Sequence, residues 1–103
     1  MYAVIFEVTP HPDRADDYFN LAAELRPELE KIDGFISIER FQSLADRDRY
    51  VSLSFWRDEA AIKEWREHLG HQSAQDAGKA GIFKDFRIRV AKVERDYTLA
   101  DRI

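Results

Sequence analysis

The chain has 103 residues, enough for one packed core and too few for two, so residues 1–103 are expected to form a single domain. Its net charge of -4, with charges in mixed-sign stretches such as Asp46-Arg47-Asp48-Arg49, argues against a nucleic-acid binder. It has no cysteine, which excludes disulfides, thiolate nucleophiles and zinc–thiolate sites, and no run of residues approaches the ~20 apolar positions of a membrane span.

The apolar start, residues 1–7, is too short for a secretion signal and lacks a basic flank. A cytoplasmic protein with neither membrane nor nucleic acid as partner is therefore expected. Residues 2–8 are rich in aromatic and β-branched types and read as a strand. Tyr2, Val4, Phe6 and Val8 point one way, and Ala3, Ile5 and Glu7 the other, so both faces are mainly apolar and both need covering. Thr9-Pro10-His11-Pro12-Asp13 breaks the strand. A helix is predicted over 12–31, with Tyr18, Leu21, Ala22, Leu25, Leu29 and Ile32 at helical spacing. Pro27 should kink this helix near Arg26 or mark its last turn.

Asp33-Gly34 is a stop signal, and residues 35–44 then alternate as a strand. Phe35, Ser37, Glu39 and Phe41 fall on one side, with Ile36, Ile38, Arg40 and Gln42 on the other. The polar stretch 45–48 predicts a hairpin into a strand over 49–56. Asp58 is placed to cap a second helix carrying Ala61, Ile62, Trp65 and Leu69, which Gly70 should interrupt before Ala74, Ala77 and the stops at Gly78 and Gly81. A long final strand is predicted over 83–95.

The order β-α-β-β-α-β is the split βαβ pattern of an α+β, ferredoxin-like domain, with helices on one face of an antiparallel sheet. The strands carry apolar groups on both sides, so the helix-free face needs a cover. The same face of a second copy, giving a homodimer, is the economical one.

Several segments carry a resemblance to the antibiotic biosynthesis monooxygenase superfamily, the dimeric α/β barrels. They are Asp33-Gly34-Phe35, Ser54-Phe55-Trp56 followed by Arg57-Asp58-Glu59-Ala60, the helical Trp65, and Asp85-Phe86-Arg87-Ile88-Arg89-Val90. The resemblance implies a pocket between helices and sheet. It also implies a cofactor-independent oxidation of an aromatic, polyketide or quinol-like small molecule by O2, so the expected cofactors are none. The haem-degrading branch of the superfamily has an Asn-Trp-His signature. By position it falls on Glu7, Trp65 and Gln75, of which only the tryptophan is kept, so the resemblance does not extend to haem degradation. A non-catalytic dimer that binds a small molecule is the alternative reading.

The candidate catalytic residues are Glu7, His68 and His71. A carboxyl in an apolar strand can become a general base, and deprotonating a phenolic substrate readies it to pass an electron to O2. Glu7 can equally pair with Arg87 or Arg89 on a neighbouring strand. His68 and His71 share a helix face at i and i+3, so either imidazole can serve as base. Together they supply only two ligands, so no metal is expected. The candidate substrate-binding residues are Trp65, Arg87 and Arg89. Trp65 either packs in the core or stacks on a substrate ring. Arg87 and Arg89 either hold an anionic group or bond Glu7 or Glu39 across the sheet.

Overall fold

Alternating large and β-branched residues give β1 (Tyr2–Pro10), and the proline that ends it cannot donate to the ladder. A computed structural model of the chain describes residues 1–75 and 81–101, with residues 70–75 described by their backbone alone. After β1 come a 3-10 turn (Pro12–Arg14), α1 (Ala15–Leu29), β2 (Phe35–Gln42), β3 (Tyr50–Trp56), α2 (Glu59–Gln75) and β4 (Phe83–Lys92). The strands form one antiparallel sheet in the order β2-β3-β1-β4, and the fold is the expected ferredoxin-like α+β.

Several elements differ from the sequence reading. β1 runs through Thr9 to Pro10, two residues past the expected end, and β2 stops at Gln42, two residues early. The helix predicted from residue 12 begins as a 3-10 turn, and Pro27 falls in the last turn of α1. Gly70 does not interrupt α2, which runs on to Gln75; one glycine weakens a helix by only about 1 kcal/mol relative to alanine. Ala77 and Gly78 lie outside the described residues. The last strand stops at Lys92, three residues early, after which the Val93 N–H donates to the Met1 carbonyl (3.0 Å).

Asp58 caps α2 as expected: the Ala61 N–H donates to its Oδ1 at 2.9 Å. That bond, followed by the adjacent Arg57, holds the Asp58 carboxyl below its ordinary value. Arg57 also bonds Asp33 through both Nη atoms (3.1 and 3.3 Å), tying the turn before β2 to the start of α2. Gly34 occupies that turn at φ 96°, a left-handed backbone that favours glycine.

The core lies between the helices and one face of the sheet, in two clusters. Val8, Tyr18 and Ile82 centre the first, and Leu29, Trp56 and Ala61 the second. Register sets Phe6 beside Ser52 and Val4 beside Ser54, so β3 turns Tyr50, Ser52, Ser54 and Trp56 toward the helices. The more apolar set, Val51, Leu53 and Phe55, faces away from them with Ile5, half-buried. A β-bulge between Phe35 and Ser37 puts Phe35 and Ile38 on the same side, against the second cluster, and leaves Ile36 exposed.

Candidate functional site

A small residue under the helices, Ser52, leaves space that a larger side chain would fill. Over Ser52 lies a cavity of about 520 Å³, bounded by α1, α2 and the sheet. Phe6 comes from β1, Tyr18, Phe19 and Leu29 from α1, Ile38 and Arg40 from β2, and Trp65 and Leu69 from α2. The size and the mix of aromatic wall with few polar groups suit a small organic molecule.

One wall is Trp65. The His68 ring stacks on it, centroids 5.5 Å apart and planes within 19°. His68 Nε2 is buried without a hydrogen-bond partner and sits 3.4 Å from Glu28 Oε2 of α1. A closure of a few tenths of an ångström would make this a charge-assisted bond. An Nε2–H donated to Glu28 in that way would leave the lone pair on Nδ1.

The lining also carries a charge, Arg40. Arg40 lies over two rings, its guanidinium carbon 5.1 Å from the Tyr18 centroid and 6.0 Å from that of Phe19. Its Nε–H donates to Tyr18 Oη at 3.1 Å. Tyr18 is only 4% exposed and is fixed by edge contact with Phe83 (5.8 Å).

Of the six residues selected from the sequence, the five whose side chains are described separate onto two faces. Trp65 lines the cavity, and His68 stacks on Trp65 without itself lining it. Glu7 does not join them: Phe6 and Val8 point to the helices, so the strand's alternation turns Glu7 to the other side. There its Oε1 accepts from Arg89 Nη1 at 2.9 Å, and Arg87 lies beside it in register. The expected convergence of Glu7 with Trp65 and the histidines in one pocket is therefore corrected, and Arg87 and Arg89 also lie across the sheet from the cavity. The side chain of His71 lies outside the described residues. Among the described residues no three potential metal ligands come together.

Tyr18, Glu28 and Arg40 were not selected from the sequence. The available signal was an arginine on the Ile38 side of β2, a charge among positions that face the core. Among the described residues, no helix is long and apolar enough to cross a membrane.

The sequence profile of the antibiotic biosynthesis monooxygenase family matches residues 1–77. The jasmonate monooxygenase ABM of Pyricularia oryzae is 46% identical over 93 residues; the match covers 90% of this chain and 43% of that protein, so the chain spans less than half the relative's length. The Bacillus subtilis protein YqjZ is 34% identical over 101 residues, covering 91% of this chain and 80% of the relative. Among solved structures, a variant of SnoaB, described as a cofactor-independent oxygenase from Streptomyces nogalater, superposes with a TM-score of 0.75 at 15% identity, covering 92% of this chain and 94% of the other. Rv0793 from Mycobacterium tuberculosis gives 0.76 at 19% identity, covering 94% and 98%. At these identities the structural matches establish the shared fold.

Proposed function

The chain belongs to the antibiotic biosynthesis monooxygenase family, and from that premise we propose that it is a cofactor-independent monooxygenase of an aromatic, polyketide or quinol-like small molecule. The observation that carries the reading is the aromatic cavity with an imidazole stacked on its tryptophan wall. Trp65 holds the substrate ring. His68, oriented by Glu28, takes the acidic proton and leaves an electron-rich anion. The anion reduces O2, and the apolar walls keep bulk water from the reactive intermediate.

The balance for an anthrone-type methylene is complete without a further reductant. Two C–H bonds break, one oxygen atom becomes the new carbonyl, and the other leaves as water. The name of the SnoaB neighbour fits this chemistry. The jasmonate relative favours a second substrate for the same cavity, a non-aromatic keto acid. Hydroxylating an unactivated C–H bond would need two electrons from an added reductant, so the two readings separate experimentally.

The test is turnover under ¹⁸O2 by chelator-treated protein, with anthrones and hydroquinones alone and with jasmonate in the presence and absence of NADH. The expected product carries one ¹⁸O atom and forms from an anthrone or quinol without reductant. Tight binding with no labelled product from any substrate would overturn the reading and leave a non-catalytic binding protein.

A further inference from the structure

We infer that Arg40 is the anchor for a carboxylate, so that the substrate of this cavity is an amphiphilic acid whose charged end sits at Arg40 and whose apolar body lies toward Trp65. The inference rests on the cavity being the substrate site, as proposed above, and adds the residue and the chemical group that orient the ligand.

Three observations support it. First, Arg40 is prepositioned. It lies over Tyr18 and Phe19, and its Nε–H is committed to Tyr18 Oη. That leaves the two Nη groups, a fork matching the two oxygens of a carboxylate.

Second, Arg40 is exposed to solvent and no carboxylate of the described residues neutralises it. Among the described residues no carboxylate lies within ion-pair distance of Arg40, and its guanidinium has no hydrogen-bond partner besides the Tyr18 hydroxyl. The other arginine lining the cavity, Arg26, is bonded to Glu30 through Nε at 2.8 Å. Glu39, which also borders the cavity, pairs in register with Leu53 on the helix-free side of the sheet, whereas Arg40 pairs with Ser52 on the helix side.

Third, Ser52, buried and directly across from Arg40 in register, adds a hydroxyl beside the guanidinium. A carboxylate at Arg40 places the ligand body along the aromatic wall and toward His68, which fixes the reacting end. Tyr18 is a positioning residue: its hydroxyl holds Nε and so aims the fork.

The experiment is calorimetric binding of 4-phenylbutyrate and of its neutral amide, which differ only in the charged group. Wild-type protein should bind the acid about tenfold or more tightly than the amide, the range of one charge-assisted pair. Arg40→Met should bring the two affinities within about threefold by weakening the acid alone, because the apolar contacts remain. Arg40→Lys should keep part of the preference, since a point charge replaces the fork. Tyr18→Phe should lower the preference without abolishing amide binding. Equal affinities in the wild type, an unchanged preference in Arg40→Met, or no binding of either probe would overturn the assignment. The readout needs no turnover: an acid preference dependent on Arg40 in a protein that consumes no oxygen would defeat the monooxygenase reading while leaving the carboxylate anchor standing.

Discussion

His68 stands beside the only tryptophan of α2, on a helix surface where sequence alone offers no reason to prefer it over His71. In the structure the His68 ring stacks on Trp65 and its Nε2 is turned to Glu28. His68→Asn preserves polarity and removes the base, so kcat is expected to fall roughly 10²–10³-fold with KM little changed, as steady-state oxygen uptake would read. A change in KM alone would make His68 a wall and not a base. Trp65 could be read from the sequence because an aromatic at helical spacing must face the sheet. Arg40 and Tyr18 could not, because their meeting joins residues 22 positions apart. Glu7 drew attention as the one charge in an apolar strand, yet period-two alternation already set it on the face opposite Phe6. What sequence lacked was which face the helices would choose.

That choice was hidden in β3. Its helix-facing positions include Ser52 and Ser54, and its apolar Val51, Leu53 and Phe55 point away, so hydrophobicity alone would have placed the helices on the wrong side. Trp56 Nε1–H donates to Ser54 Oγ at 2.9 Å, which satisfies both groups when buried. The order of strands and helices was legible, as were the Asp58 cap and the Gly34 turn, because each rests on local chemistry. The bulge in β2 was not, since an extra residue is visible only against its partner strand.

Two stability tests belong to these elements. A Cβ at Gly34 would lie 2.8 Å from Ala61 Cβ, in a backbone with φ 96°. Ala61 is buried and cannot give way. Gly34→Ala is therefore expected to lose about 1–3 kcal/mol in urea unfolding. Asp58→Ala should lower Tm by a few degrees at neutral pH through loss of the cap. Because folding lowers the Asp58 pKa, its contribution is full above the ordinary carboxylate value and fades as pH falls through the depressed folded value. The difference in Tm between wild type and Asp58→Ala should accordingly shrink in strong acid, as thermal scans across pH would show.

For the whole molecule, the helix-free face carries Ile5, Val51, Leu53 and Phe55, with Phe41 46% exposed at its margin. We propose that a second copy covers it about a two-fold axis. A lysine at its centre, Leu53→Lys, should convert a dimer into a folded monomer in analytical ultracentrifugation at micromolar concentration. A wild-type monomer at that concentration would remove the proposal. The two faces of the sheet would then have separate tasks: chemistry under the helices and assembly on the other side.

This division is tested most directly by comparing turnover of His68→Asn and Glu7→Gln with the same substrate, after both are shown to be folded. The expected result is a drop of about 10²-fold or more for His68→Asn and a change within about threefold for Glu7→Gln. The reverse pattern, with Glu7 indispensable and His68 dispensable, would contradict a reaction site between the helices and the sheet.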